Sequence, residues 1–459
     1  MSLITGDVEN MKIIFVGNYW PYIDGGTRIA RLVPMLIERG YQVHIFTMPL
    51  RETPKSHPNL HIHEVSFVGD TFHVFRRILN RLYKIKSSDL HNGLKEKIVG
   101  SKDSSFSFRS ILLNRLFKLY DEIFSYPDAY KSWKTNLYDA LCDYLDDEAN
   151  NCIIISEYPT ISHVVSKKIK EKYSVPWVAD FVDLWSENHN YPYSKVRKFF
   201  DRKLERSTLR HANYIVTTSN LWAEKLRKLH PGKNVLAIPH GFDATTYEEN
   251  LSNKGADSQK TLKNGTFDIL YAGRLYSEMQ DISLFFDALY VVQNQEPDIE
   301  LRVTFYSPDK ASIIDAAKKS NVSNLISVKD VVSRAEIMQL MLKYDLMLAI
   351  GVDTKSGLTG SIPSKLYDYI TMHKPVLLAG GVEGDEADQF LIETKIGVSV
   401  TSVADCVSAL ENFVLGYKSG SDFLAGVNGA NLRSYSSHST AEKFENIIIS
   451  CETDDLGGQ

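Results

Sequence analysis

From Lys12 onward, short apolar runs rich in β-branched residues alternate with stretches of helical periodicity, and glycine-bearing loops separate them. KIIFVG reads as a strand, NYWPYIDGG as a loop, TRIARLVPMLIERG as a helix closing at Gly40, and YQVHIFTM as a second strand. Strand, glycine loop, helix and strand in that order make a βαβ unit, which demands a parallel sheet with right-handed crossovers. The pairing recurs at NCIIISE with a helix to Tyr173, at PWVADFVD, at ANYIVTTS with NLWAEKLRKL, and at NVLAIPHG. After Asp243 the segment ATTYEENLSNKGADSQKTLKNG is polar and turn-rich, as a linker would be. The alternation then restarts with FDILYAG, LRVTFYS, ISVKD, DLMLAIG and PVLLAG, each followed by a helical pattern.

This predicts an α/β chain of two doubly wound, Rossmann-like parallel-sheet domains facing each other across a cleft. The first domain is expected over 11–243 and the second over 244–432, with 433–459 as a terminal helix and tail crossing back to the first. A chain of 459 residues with 43% hydrophobic and 24% charged content can fill two such cores. Its 52 basic and 57 acidic side chains leave −5, so no bulk charge invites nucleic acid.

Cys142, Cys152, Cys406 and Cys451 show no C-x-x-C spacing, which argues against a zinc ribbon, a redox dithiol or a disulfide scaffold and fits a reducing cytosol. The opening MSLITGDVEN carries Asp7 and Glu9 and lacks the pattern of a signal peptide; it reads as an appendage before Met11. No apolar run approaches the roughly 20 residues that span a bilayer.

One block breaks the alternation. Residues 76–118 hold eleven Lys/Arg and three Asp/Glu, interleaved with Phe, Leu, Ile and Tyr, within an insertion spanning about 70–130. Two readings stand: basic amphipathic helices at an anionic membrane surface, or ordinary packed helices with a solvated basic face.

Three loops offer chemistry. Asp24-Gly25-Gly26 precedes a helix, where backbone N–H groups can face an anion, although a glycine pair also makes a plain turn. YAGRLYSE places Arg274 at the carboxyl end of a strand, suited to a phosphate or to a surface pair with Glu278. In GSIPSKLYDY, Pro363 presets a helical turn, Ser361 or Ser364 can cap it, and N–H groups of Gly360, Ser361 and Ile362 are expected beside Lys365, a diphosphate-binding combination. Asp368 lies one turn on and can accept from vicinal ribose hydroxyls; the plainer alternative is a Lys365–Asp368 surface pair. HPNLHIHE brings His57, His61, His63 and Glu64 together without a matching cluster elsewhere, and no D-x-D triplet stands where a metal–diphosphate bridge would need one, so no metal is expected.

YWPYIDGGTRIARLVPMLIERGYQVHIFT, ADFVDLW, ANYIVTTS…IPHGFD, YAGRL and IPSKLYDYITMHKPVLL in this order resemble the GT-B-fold glycosyltransferases of the family 4 type, especially the bacterial surface-polysaccharide branch. The resemblance implies a nucleotide-sugar donor in the second domain, with Arg274 and Lys365 at its diphosphate, Asp368 at the ribose, and backbone from Lys329 to Val331 at the base. Gly25 and Gly26 would reach the phosphates or sugar, and Asp180 and Asp183 would line the acceptor side. It further implies retention at the anomeric carbon, with Asp183 orienting or deprotonating a lipid-linked or oligosaccharide acceptor at the inner face of the cell membrane.

The chain departs from the family at two places. Gly360 and Asp368 occupy the neighbourhood where members often carry two glutamates, and Met279 and Gln280 stand where a lysine is usual. A nucleotide-sugar epimerase of the same architecture and a degenerate sugar-nucleotide-binding scaffold are the competing readings.

Overall fold

The computed structural model describes residues 11–19, 28–50, 56–67, 69, 119–148, 151–254, 265–276, 279–352, 359–427 and 429–456. Gly25, Gly26, Glu278 and the basic block 76–118 lie outside the described residues.

The strands are β1 (Lys12–Val16), β2 (Gln42–Thr47), β3 (Leu60–Glu64), β4 (Cys152–Ser156), β5 (Trp177–Phe181), β6 (Tyr214–Thr217), β7 (Asn234–Ala237), β8 (Thr266–Ala272), β9 (Glu300–Tyr306), β10 (Ile326–Lys329), β11 (Leu346–Ile350), β12 (Val376–Ala379) and β13 (Gly397–Val400). The helices used below are α1 (Arg28–Glu38), α2 (Lys134–Glu148), α3 (Thr160–Tyr173), α4 (Lys195–Leu209), α5 (Asn220–Leu229), α6 (Ala244–Lys254), α7 (Ser283–Gln295), α8 (Lys310–Lys319), α9 (Arg334–Met341), α10 (Ser364–Thr371), α11 (Glu386–Thr394), α12 (Val403–Ser419), α13 (Gly429–Arg433) and α14 (Ser437–Leu456).

The strands form a seven-stranded sheet, β3-β2-β1-β4-β5-β6-β7, and a six-stranded sheet, β10-β9-β8-β11-β12-β13. Each is a doubly wound α/β sheet: the order reverses between β1 and β4 in the first and between β8 and β11 in the second. The apolar runs are buried on both faces, as parallel strands covered by helices must be. Ile13, Ile14, Phe15 and Val16 are all fully buried. In the second sheet Ile269 and Tyr271 pack with α7, α8 and α12, while Leu270 between them packs with α9, α10 and α11 on the other side.

The chain forms two compact units. One comprises 1–20, 40–216 and 227–234; the other comprises 21–39, 217–226 and 235–459 and therefore includes α1, against which α14 packs.

The polar segment after Asp243 begins as helix α6 rather than as a linker turn. Asp243 initiates it, accepting from the Thr246 N–H (3.1 Å) and Thr246 Oγ1 (2.8 Å).

Candidate nucleotide-binding site

The opening of α10 and the turn after β8 meet within one compact unit. β8 ends at Ala272, and Gly273 turns the chain at φ +118°, a conformation that suits glycine. A Cβ built on Gly273 would stand 3.5 Å from Lys365 Nζ. The ammonium group therefore lies against the residue that precedes Arg274. Arg274 itself is exposed, its carbonyl tied to the Tyr271 hydroxyl at 2.7 Å.

Lys365 Nζ sits 3.8 Å from the centre of the Tyr271 ring. The nitrogen is shielded from water and donates no hydrogen bond to any described residue. Burial lowers its pKa to about 7, with Asp368 pulling the other way. A buried amine without an acceptor is costly, and an anion seated against it would both satisfy its N–H groups and restore its charge.

Helix α10 starts with Pro363 as its N-cap and no side-chain cap, so neither Ser361 nor Ser364 performs the capping anticipated for them. The reason is Pro363: its ψ of 129° puts it outside the helix and moves the first helical residue to Ser364. The loop donors also differ from expectation. The Gly360 N–H is bound by Asp385 Oδ1 at 2.7 Å, and the Ser361 N–H by Thr359 Oγ1 at 3.1 Å. Asp385 also accepts from the Thr359 N–H (3.1 Å) and hydroxyl (2.5 Å). Of the three expected donors, Ile362 keeps an N–H with no partner among the described residues, joined by Ser364 and Lys365 at the helix start. Beside this start, Gly351, Ser361, Pro363, Gly380 and Gly381 line a recess with about 360 Å³ of space open to solvent.

Asp368 is buried and does not pair with Lys365. Its Oδ1 accepts from Arg31 Nη2 and Arg334 Nη2, both at 2.5 Å, and its Oδ2 from Arg334 Nη1 at 2.8 Å. One acceptor direction on Oδ2 is left for a ligand hydroxyl. Arg31 and Arg334 were not foreseen from the sequence, since they lie 337 and 34 residues from their partner. Val331, near the end of the edge strand β10, is 61% exposed.

Gln280 explains the missing lysine. It is buried, accepting from the Tyr276 N–H (2.9 Å) and donating to the Ile350 carbonyl (2.8 Å), so this position braces the loop rather than facing a ligand.

In the other unit, Asp180 is buried within β5, and Asp183 follows the strand end. Water reaches Asp183, yet enough protein surrounds its carboxyl to raise the pKa, with His189 opposing. Tyr19 is buried as well, and its pKa is pushed up, first by burial and then by the buried carboxylates Glu157 and Asp180. His61 and His63 of β3 stack on His44 of β2, with ring centres 4.5 and 5.4 Å away.

No family model and no curated protein matches the chain. Solved structures do match along its length. Sucrose-phosphate synthase from Thermosynechococcus elongatus superposes with a TM-score of 0.55 at 11% identity, over 97% of this chain and 100% of its own. HepE from Anabaena, in complex with UDP and glucose, gives 0.54 at 11%, over 96% and 100%. A UDP-N-acetylglucosamine 2-epimerase of Listeria monocytogenes, so described provisionally, gives 0.52 at 10%, over 97% of both chains. Together with the two doubly wound parallel sheets, these likenesses establish that the chain has the GT-B fold.

Proposed function

We propose that the protein is a glycosyltransferase that moves a hexose from a nucleoside-diphosphate sugar to a lipid-linked saccharide, with retention and without a metal. The observation that carries this reading is Lys365: a shielded ammonium group without an acceptor among the described residues, set between Gly273–Arg274 and the uncapped start of α10. In this reading Lys365 and the helix N-terminus face the diphosphate, and Arg274, next in the chain after Gly273, supplies the second cation. As the glycosidic bond breaks, negative charge grows on the leaving nucleoside diphosphate, and fixed positive groups stabilise that state more than the bound donor.

Asp368, held between two guanidinium groups, supplies a ribose acceptor, and the backbone from Lys329 to Val331 meets the base. Asp183, whose raised pKa lets it exchange a proton nearer neutrality, orients the acceptor hydroxyl, with Asp180 behind it. The donor's own phosphate assists its deprotonation. The HepE complex with UDP and glucose supports a nucleotide-sugar ligand for this fold.

The epimerase likeness favours a second reading, in which donor alone is turned over. One assay separates them. Nucleoside diphosphate released only when a saccharide acceptor is added, and reduced at least about tenfold in Lys365→Ala, supports transfer; release or isomerisation from donor alone overturns it. A thermal-shift panel of UDP, GDP, ADP, dTDP and CMP identifies the nucleotide, because a ligand bound only by the native state raises the melting temperature.

A further inference from the structure

Helix α4 is built inside out. Its buried positions include Arg197, Asp201, Glu205 and Thr208, spaced along one face. On the opposite face Val196, Phe199 and Phe200 are 67%, 64% and 51% exposed. An ordinary surface helix shows the reverse pattern.

The inward charges hold this orientation. Arg197 donates through Nη2 to the carbonyls of Ser125 (2.9 Å) and Pro127 (3.0 Å), through Nη1 to that of Glu122, and through Nε to Asp201 (3.1 Å). Its guanidinium also lies over the rings of Tyr193 (4.4 Å) and Tyr126 (4.7 Å). Rotating α4 to hide its phenylalanines would break all of these.

The segment that Arg197 grips adds to the apolar surface. Residues 119–124 are helical, and Leu119, Ile123 and Phe124 are exposed. Ser194 bonds the Glu122 carboxylate, and Tyr126 reaches the Phe200 carbonyl, so the two elements adjoin.

Charge identifies the partner. α4 carries Lys195, Lys198, Arg202 and Lys203 beside the exposed rings; Lys198 and Arg202 share Glu187, while Lys195 and Lys203 pair with no described carboxylate. The chain reaches Leu119 directly from the 76–118 block, with eleven basic and three acidic residues. Large apolar side chains flanked by unpaired lysines match the boundary of an anionic bilayer, where rings enter the acyl edge and ammonium groups meet lipid phosphates.

We propose that the outward face of α4 and residues 119–124 dock on an anionic membrane, with Val196, Phe199, Phe200, Ile123 and Phe124 entering the headgroup boundary. This stands on the geometry of α4 and holds whether or not the transferase reading does.

Co-sedimentation of the full chain with vesicles tests it, using phosphatidylcholine alone and phosphatidylcholine mixed with phosphatidylglycerol. The wild type should bind the mixed vesicles, and Phe199→Ser with Phe200→Ser should weaken binding by roughly tenfold or more. Lys195→Glu with Lys203→Glu, which leaves the rings in place, should weaken binding to mixed vesicles and make the remaining binding less sensitive to salt. Far-UV circular dichroism and a thermal melt establish that each variant is folded; should the phenylalanine pair fail to fold, the lysine pair decides. Unchanged binding in the folded variants, equal binding to both vesicle types, or a lipid-free dimer that the phenylalanine pair abolishes would each overturn the proposal, the last making this face a contact between copies.

Discussion

Arg334 grips Asp368 with both terminal nitrogens, Nη1 to Oδ2 at 2.8 Å and Nη2 to Oδ1 at 2.5 Å, while Arg31 closes on Oδ1 from α1. A fork of this kind fixes the carboxylate plane as well as its charge. Arg31 is the deeper partner, its side chain 4% exposed against 22% for Arg334.

Asp368→Asn should therefore damage the fold and not only a ligand contact. Removing one member of a buried charge cluster costs about 3–5 kcal/mol, because the remaining charges lose their compensation. The urea midpoint should fall accordingly. Arg334→Lys keeps charge but loses the fork, and should cost about 1–2 kcal/mol. An Asp368→Asn midpoint equal to that of the wild type would show the cluster to be solvated and dispensable.

The proposed diphosphate contact at Lys365 predicts a pH dependence of binding. Its pKa of about 7 in the free protein means that the amine loses its charge as pH rises through neutrality. An anion binds the charged form, so affinity should be highest near pH 6–7, where a terminal phosphate with a pKa of about 6 is mostly ionised, and should weaken above pH 7 by up to tenfold per pH unit. Titration calorimetry with UDP or GDP, whichever binds, reads this directly. Lys365→Arg, charged throughout, should flatten the alkaline limb; an unchanged limb in that variant rules Lys365 out as its source.

Gly360 carries a steric constraint. Its φ is +75°, and a Cβ there would stand 2.5 Å from Trp222 Cδ1. Gly360→Ala should cost about 1–3 kcal/mol through the left-handed backbone alone, with the ring clash added. Asp385→Ala, which strips four hydrogen bonds from the Thr359–Gly360 loop and the Glu386 N–H, should cost at least as much and weaken nucleotide binding as the loop loosens. Measured affinity that survives Asp385→Ala intact would separate the loop from the site.

Acid should destabilise the unit that holds β1–β5. Burial lowers His163 to about 3, and burial with His61 and His63 lowers His44 to about 3, both from 6.5. Between those values the unfolded chain binds protons that the native chain does not, so stability is full above pH 6.5 and falls toward pH 3, by up to about 1.4 kcal/mol per pH unit for each ring. Asp128, raised by burial to about 6, works in the opposite sense from there down to its ordinary value of 3.8. His163→Asn combined with His44→Asn should make denaturation midpoints measured from pH 7 to 4 less steep.

The parallel strands were legible because burial on both faces leaves continuous β-branched runs such as IIFV and CIII, and their helices follow from 3.6-residue periodicity. Lys365 was legible for a local reason: it follows a proline at a loop-to-helix junction. The partners of Asp368 and Gly360 were not, because Arg31 and Asp385 reach them only through the fold. Asp385 also caps α11, accepting from the Glu386 N–H. Helix α4 misleads periodicity reasoning altogether: the same spacing that marks a core face here marks the wet one.

The makeup of the compact units bears on how this polypeptide can be divided. The later unit borrows α1 and the first turns of α5 from the early part of the sequence. Cutting the gene after residue 243 would deliver a C-terminal fragment deprived of Arg31, with one guanidinium left to hold Asp368 and with α14 stripped of its helical neighbour. Neither fragment would inherit a complete interior, so production of an isolated C-terminal half calls for grafting the α1 segment back rather than for trimming at the polar stretch.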